Sequence, residues 1–359
     1  MNFIHHGIME KLLFLSDYCE GAHPQIIDAL ASTNMVQTPG YGEDVYCARA
    51  RELVREACGR PDADVHFLVG GTQTNVTFIA SVLRPHQGVL CAHSGHINVH
   101  ETGAVEHSGH KVLGLPHRDG KISAAQITEA VRSHYEDPSF EHTVQPGMVY
   151  ISFPTELGTI YTRDELFAIS DACHEAGIPL FVDGARLGYG LTCSRCDVTL
   201  QDIAKAADAF YIGGTKQGAL FGEAVVIGND SLKKDFRYAI KQNGGMLAKG
   251  RLLGLQFLTL FGKQDEGECL YFSIARHANS LAARIRAAFE AAGCDFLVDS
   301  PTNQQFPVLT VERIAALEDR FGFETWQKMD DGRVAVRFCT SWATSESAVE
   351  ALEKAVSEL

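Results

Sequence analysis

Short apolar runs alternate with segments of helical periodicity through the first two thirds of the chain. The apolar runs predict β-strands over residues 65–69, 88–92, 111–115, 148–153, 179–183, 208–213 and 223–228. The segments between them predict helices over 43–58, 73–84, 123–134 and 163–176. Such alternation favours an α/β fold built on a doubly wound, mainly parallel sheet with helices on both faces.

The pattern changes after Gly244-Gly245. Residues 247–263 and 269–292 predict long amphipathic helices, which strands over 305–311 and 333–338 and a final helix over 345–358 follow. We therefore predict a tail over 1–14, a large domain over 15–245 and a smaller C-terminal α+β domain over 246–359.

Charge and cysteine usage narrow the classes of partner and compartment. The 359 residues include 31 basic and 45 acidic side chains, a net charge of −14 that disfavours nucleic acid and anionic membranes as partners. The ten cysteines lack the spacing of a disulfide framework, no signal peptide is evident, and no apolar run reaches membrane-span length. We expect a cytoplasmic protein.

Two strand ends carry candidate cofactor chemistry. Asp183 ends one apolar run and opens the segment Asp-Gly-Ala-Arg186, and Lys216 follows Gly213-Gly214-Thr215 after another. A lysine amine forms a Schiff base with the aldehyde of pyridoxal phosphate (PLP), and an aspartate keeps the pyridine nitrogen protonated. Arg186 could donate to the ring oxygen. Each segment alone also suits an ordinary turn, but together they favour PLP.

In a doubly wound sheet, ligands bind beyond the carboxyl ends of the strands, where His96 and Thr155 would join Asp183 and Lys216. Gly71 and Thr72 follow a strand and open a helix, a position that suits a phosphate. His93, His96 and His100 are close in sequence, but no acidic or cysteine cluster accompanies them, so we predict no metal site. His96 is the preferred residue to stack on the pyridine ring.

Several motifs in order give the chain a family resemblance. They are Leu15-Ser16-Asp17, Tyr41-Gly42-Glu43-Asp44, Gly71-Thr72-Gln73-Thr74-Asn75, His93 to His96 with Glu101-Thr102-Gly103-Ala104, Asp183-Gly184-Ala185-Arg186-Leu187 and Gly244-Gly245-Met246. With these motifs the chain resembles the PLP-dependent L-threonine aldolases of the β-eliminating lyase superfamily. That resemblance implies the aspartate-aminotransferase-type, PLP-dependent transferase-like fold.

The resemblance also implies roles for individual residues. Gly71 and Thr72 would hold the phosphate, His96 would stack on the ring, Asp183 would pair with its nitrogen, Arg186 would lie by its oxygen, and Lys216 would form the imine. Ser16 and Arg337 would bind the substrate carboxylate. Tyr41 would reach in from a neighbouring subunit, so a homodimer or homotetramer is expected.

The chain departs from the family pattern in three places. The segment Met246-Leu247-Ala248-Lys249 lacks the family's phosphate-binding arginine, which Lys249 or Arg251 could replace. Residues 153–156 and 215–220 are also altered, which bears on the substrate more than on the cofactor.

The reaction that these residues favour is cleavage of a β-hydroxy-α-amino acid into glycine and an aldehyde, with His96 or His142 as the base. β-Elimination from an amino acid with a leaving group on Cβ is the main alternative, and aminotransfer is another. Two further classes are a non-catalytic binding protein and a metal-dependent hydrolase built on the histidines of 93–100. Asp183 and Lys216 together argue against the binding protein.

Overall fold

The computed structural model describes residues 11–262 and 267–359. The first ten residues of the predicted tail and the last position of the predicted helix 247–263 lie outside the described residues.

The strands, in chain order, are β1 (Leu12–Leu13), β2 (Asp64–Leu68), β3 (Gln87–Ala92), β4 (Lys111–Leu115), β5 (Gln145–Ser152), β6 (Leu180–Asp183), β7 (Ala209–Gly213), β8 (Glu223–Ile227), β9 (Asp295–Phe296), β10 (Gln304–Gln305), β11 (Pro307–Leu309), β12 (Phe321–Gly322), β13 (Glu324–Lys328) and β14 (Val334–Cys339). Every strand of the large sheet lies within three residues of its predicted position.

The helices, in chain order, are α1 (Pro24–Ser32), α2 (Val45–Cys58), α3 (Gly71–Val82), α4 (His96–Val99), α5 (Ala104–His107), α6 (Ala124–Glu136), α7 (Arg163–Ala176), α8 (Leu187–Thr192), α9 (Leu200–Ala206), α10 (Phe236–Gln242), α11 (Arg251–Phe261), α12 (Leu270–Ala291), α13 (Val311–Glu318) and α14 (Glu346–Val356). A 3₁₀ turn covers Phe140–His142.

Within the described residues, seven strands form the main sheet in the order β2-β8-β7-β6-β5-β3-β4. The strands from β7 to β4 are mutually parallel, whereas β8 runs antiparallel to both β7 and β2. The predicted α/β fold with a doubly wound, mainly parallel sheet is therefore confirmed.

Apolar residues on both faces of this sheet explain why its strands read as continuous apolar runs. All five residues of β7 are buried. One hydrophobic cluster contains Phe210 and Ile212, and another contains Tyr211 on the opposite face. A strand covered by helices on both sides has no solvent face to fill with polar residues.

The smaller domain is an antiparallel sheet packed against helices. Strand β14 pairs with β10, β11 and β13, and helix α12 packs on α14. At the chain's start, β1 pairs in parallel with β12 and Phe14 lies in the core of this smaller domain. Helix α11 starts at Arg251 and packs on α1 and α2. The division at residue 245 stays a prediction.

The topology brings the carboxyl ends of β3, β5, β6 and β7 to one edge of the main sheet. The segments that follow them contain His96, Thr155, Asp183 and Lys216. Neighbouring parallel strands end side by side, so residues far apart in sequence meet at this edge.

Candidate active site

A cavity of about 320 Å³ lies at the carboxyl edge of the main sheet. That volume is in the range of small-molecule sites. Its lining includes seven residues that the sequence analysis assigned to cofactor binding: Gly71, Thr72, His96, Thr155, Asp183, Arg186 and Lys216. The structure therefore brings all seven predicted residues together in one cavity.

Asp183 lines the cavity as a buried carboxylate at the end of β6. It accepts hydrogen bonds from Tyr150 Oη at 2.5 Å, the Ala185 amide at 2.9 Å and Asn75 Nδ2 at 3.1 Å. Burial alone would raise the pKa of Asp183, but the positive potential of His96 and the hydrogen bonds from Tyr150 and Tyr211 lower it overall. The side chain is therefore ionised near neutral pH.

His96 is tied to the same network through Asn75. The Asn75 amide nitrogen bridges Asp183 and Glu101, with a distance of 2.7 Å to Glu101 Oε1. His96 Nδ1 lies 2.7 Å from that same carboxylate oxygen, and the Glu101 side chain is fully buried. A carboxylate at Nδ1 holds a proton there and leaves Nε2 available as a base.

Lys216 lies in the turn after β7, with its amine 5.9 Å from the centre of the Tyr18 ring. Tyr189 Oη donates to the Lys216 carbonyl at 2.5 Å, which anchors the backbone of the turn. Burial and the nearby charge of Arg186 lower the pKa of the Lys216 amine, against the attraction of Asp17 and Asp183. A lowered pKa increases the fraction of neutral, nucleophilic amine.

The loops that carry Asp183 and Lys216 are packed closely together. The Gly213 amide donates to the Gly184 carbonyl at 2.9 Å. A Cβ at Gly184 would lie 1.9 Å from the Tyr211 carbonyl oxygen, so a larger residue does not fit there. Close backbone approach fixes the acid and the amine relative to each other.

Helix α3 begins at the cavity wall with Gly71 and Thr72. Gly70 precedes it with no side-chain cap, so amides of the first turn remain available to an anion.

Thr155, which also lines the cavity, shares a 2.7 Å hydrogen bond with the Thr159 hydroxyl. Glu156 follows, and its carboxylate accepts from the His96 amide at 2.9 Å and from Ser152 at 2.6 Å. Burial raises the pKa of Glu156.

Arg186 is fixed by a buried ion pair with Asp17. Arg186 Nε and Nη2 lie 2.7 and 2.9 Å from the two Asp17 oxygens, and Asn303 Nδ2 of the smaller domain donates to the same carboxylate at 2.9 Å. This bidentate pair uses two of the three guanidinium nitrogens and leaves Nη1 for the cavity.

Ser16 and Arg337 are not among the residues that line the cavity. Arg337 donates to the Leu15 carbonyl at 3.0 Å and to Gln304 Oε1 at 3.1 Å, and it pairs with Glu324. The Ser16 hydroxyl lies 3.3 Å from Cys19 Sγ. Arg337 therefore has a half-exposed carboxylate partner within its own chain.

Four other predicted residues lie away from the cavity of the described chain. His142 is exposed in the 3₁₀ turn at the amino end of β5, a full strand length of about 25 Å from the carboxyl edge. Lys249 is exposed, and Arg251 donates to the carbonyls of Val36 and Asn34. Tyr41 lines a separate small cavity with Gly245 and Met246.

No group of three or more His, Cys, Asp or Glu side chains within residues 11–262 and 267–359 is arranged to hold a metal ion. The same residues contain no helix that is long and apolar enough to cross a membrane.

Sequence reasoning assigned no role to several residues of the network, namely Asp17, Asn75, Glu101, Tyr150, Glu156, Tyr211 and Glu223. Asn75 had a usable signal, since it lies four residues after Gly71 and so on the same helix face. Tyr150 also had a usable signal, because alternate residues of a strand, such as 150 and 152, point to the same face of the sheet. Glu101 and Asp17 were within quoted motifs.

Comparison with solved structures defines the class of protein to which this fold and cavity belong. An aspartate aminotransferase from Thermus thermophilus aligns with 98% of this chain and 92% of its own at a TM-score of 0.70 and 13% identity. An alanine–glyoxylate aminotransferase from Nostoc aligns with all of this chain and 97% of its own at a TM-score of 0.71 and 15% identity. The chain has the aspartate-aminotransferase-type fold.

The family is narrower than the fold. The model of the beta-eliminating lyase family matches residues 14–312, and the chain belongs to that family of enzymes. A Leishmania major threonine aldolase structure is 46% identical over 97% of this chain and 99% of its own, at a TM-score of 0.92. A low specificity L-threonine aldolase from Pseudomonas aeruginosa is 30% identical over 95% of this chain and 96% of its own. The resemblance seen in the motifs is confirmed.

Proposed function

We propose that the chain is a PLP-dependent aldolase that cleaves a β-hydroxy-α-amino acid, L-threonine or L-allo-threonine, into glycine and an aldehyde. The observation that carries the proposal is the meeting of Asp183 and Lys216 in one cavity at the carboxyl edge of the sheet. The Leishmania and Pseudomonas relatives named above are threonine aldolases, which supports this reaction over the alternatives.

The residues present fit the cofactor. An ionised carboxylate in the cavity suits a protonated pyridine nitrogen, and a helix that begins without a side-chain cap suits a phosphate. Lys216 lines the same cavity and has an amine of lowered pKa. Once bound, PLP supplies the electron sink that makes cleavage of the Cα–Cβ bond feasible.

Asp183 would hold a proton on the pyridine nitrogen, and its hydrogen bonds keep it ionised for that task. Tyr150 and Asn75 satisfy part of the carboxylate without neutralising its charge. Lys216 would hold the cofactor covalently and would give it up when the substrate amine arrives. Its lowered pKa favours the neutral amine that this exchange requires.

His96 is the proposed base for the substrate hydroxyl. The buried Glu101 carboxylate fixes its Nδ1 proton and stabilises the positive charge that develops when Nε2 accepts another. His96 also lines the cavity, and its ring would cover one face of the pyridine. His142, on the opposite edge of the sheet, has no role in this proposal.

The substrate carboxylate would be bound on the side of the smaller domain, where Arg337 would exchange Glu324 for it, with Ser16 nearby. Arg186, whose Nη1 is free of Asp17, would donate to the ring oxygen of the cofactor. Glu324 is the exchangeable partner because its side chain is 44% exposed, whereas that of Arg337 is 9% exposed.

A homodimer or homotetramer with Tyr41 at the interface completes the proposal. Tyr41 is 47% exposed with φ of 60°, in the left-handed region that costs energy for a tyrosine. Met35, Val36 and Val45 are exposed apolar residues of the same part of the chain, and such surface suits a second copy. Lys249 or Arg251 would meet a partner's phosphate only in that assembly.

The ten free thiols suit a reducing cytoplasm.

Product analysis tests the reaction. L-Threonine, L-allo-threonine and phenylserine should each yield glycine with one equivalent of acetaldehyde or benzaldehyde, and serine should yield little pyruvate. The control is Lys216→Ala, which should release no aldehyde above background. Pyruvate and ammonia from serine or cysteine, with no aldehyde from any hydroxy amino acid, would instead identify a β-eliminating lyase.

A further inference from the structure

Glu223 is a buried carboxyl group in the cavity for which the reaction described above has no use. It begins β8, is 3% exposed and lines the cavity. Its two oxygens accept from the Thr215 hydroxyl at 2.9 Å and from the Gly214 amide at 3.1 Å. Both donors belong to the turn that carries Lys216.

The sheet register places Glu223 next to the start of α3. Glu223 pairs with Leu68 at the end of β2, and the chain continues from Leu68 through Val69 and Gly70 into that helix. Val69, Gly70 and Gly71 line the same cavity as Glu223. A phosphate bound at the amides of the first turn would therefore lie close to this carboxyl group.

Two like charges would then share a small buried space. A phosphomonoester carries nearly two negative charges at neutral pH, and an ionised carboxylate beside it is unfavourable where water is excluded. Arg251, one candidate for the missing phosphate cation, is committed to the carbonyls of Val36 and Asn34. A protonated Glu223 removes the repulsion within one chain, whether or not a cation from a partner subunit also reaches the phosphate.

We propose that Glu223 is a proton-binding residue of the phosphate site: phosphate binds beside the neutral carboxylic acid, and where the side chain is ionised beforehand it takes up one proton from solvent. The inference rests on the proposed function, because it requires that the phosphate of PLP binds at Gly71 and Thr72. No covalent bond forms or breaks in this step.

The surroundings of Glu223 support a neutral form. Burial is the main cause that raises the pKa of Glu223 to about 8, opposed by the Thr215 hydroxyl and the charge of Lys216 and reinforced by Asp183. The other titratable groups that face it, Tyr211 on β7 and Tyr271 on α12, are buried phenols with pKa values well above the ordinary value, so they stay neutral.

The test measures binding of pyridoxine 5′-phosphate, which lacks the aldehyde and so cannot react with Lys216. Dissociation constants are measured at pH 7 and pH 9 for the wild-type chain and for Glu223→Gln, which keeps the shape of the side chain and cannot ionise. A pKa of about 8 leaves roughly nine tenths of Glu223 protonated at pH 7 and one tenth at pH 9. Ionisations of the ligand affect both proteins alike.

We expect the ratio of the wild-type dissociation constant to that of Glu223→Gln to rise about tenfold from pH 7 to pH 9. The exposed variant Glu52→Gln should follow the wild type. An unchanged ratio would overturn the inference while leaving the phosphate site intact. If neither protein binds the ligand at pH 7, the phosphate site itself is refuted. Should Glu223→Gln fail to fold, Glu223→Ala takes its place in the same ratio.

Discussion

The ion pair between Asp17 and Arg186 gives the most quantitative prediction of stability. Asp17 is fully buried and links its own segment to two others, since it pairs with Arg186 in the turn after β6 and accepts from Asn303 of the smaller domain. Asp17→Asn keeps the shape of the side chain but leaves the guanidinium buried without its counter-charge. Breaking a buried pair in this way costs about 3–5 kcal/mol.

That cost converts into a change in melting temperature. An unfolding entropy of about 2.1 cal/mol/K per residue gives roughly 0.75 kcal/mol/K for a chain of 359 residues. We therefore expect Asp17→Asn to lower Tm by about 4–7 °C in calorimetry at pH 7. The matched control is Glu52→Gln, which breaks an exposed pair with Arg49 and should lower Tm by no more than about 1 °C.

The pH dependence tests the cause. Burial is the largest single influence and raises the pKa of Asp17, but the charges of Arg186 and Lys216 and the hydrogen bonds from Arg186 and Asn303 together outweigh it. The folded-state pKa therefore lies below the ordinary value. A lowered folded-state pKa stabilises the fold fully above the unfolded-state pKa of about 3.9 and loses that effect as pH falls through the folded value. The difference in Tm between wild type and Asp17→Asn should be constant from pH 7 to 5 and shrink below pH 4. A Tm unchanged at pH 7, or a difference at pH 3 that is as large as the difference at pH 7, would refute the ion-pair reasoning.

Three further predictions concern the site. Asp183→Asn should lower kcat by at least about 100-fold, since a fixed electrostatic contact is lost, and normal turnover would reject its role at the pyridine nitrogen. Arg337→Gln should raise KM for threonine by about 10-fold or more with a smaller change in kcat, whereas an unchanged KM would place the substrate carboxylate elsewhere. Tyr41→Ala and Lys216→Ala chains, each inactive alone, should recover up to about a quarter of wild-type activity when they are mixed and reassociated. About half of random dimers contain one chain of each kind, and one of the two sites in such a dimer is complete. No recovery would contradict a shared site.

The sequence predicted the fold well because buried parallel strands have a simple signature. Apolar runs such as 111–115 and 179–183 coincide with observed strands almost residue for residue. The predicted helix over 247–263 was less accurate, since α11 begins only at Arg251. Gly250 before it lies against Gly42, where a Cβ would be 2.4 Å from the Gly42 amide, and this tertiary contact has no local signal.

The site residues at strand ends could also be predicted from the apolar runs. The residues that form hydrogen bonds to them could not. Asp183 and Lys216 each follow an apolar run, so position along the chain alone marks them. Asn75 and Tyr150 reach Asp183 from 108 and 33 residues away, and only the order of strands in the sheet brings them together. Arg251 shows the limit of prediction from position along the chain. It follows the Gly244-Gly245-Met246 motif closely in sequence, but in the structure it donates to the backbone carbonyls of Val36 and Asn34.

The central claim is that Lys216 holds PLP in the cavity that contains Asp183. The most direct measurement is borohydride reduction of the purified protein loaded with PLP, followed by protease digestion and mass spectrometry of the peptides. The account predicts one phosphopyridoxyl group per chain, located on Lys216 and lost in Lys216→Ala. A phosphopyridoxyl group on any other lysine, or none after reduction, would contradict it.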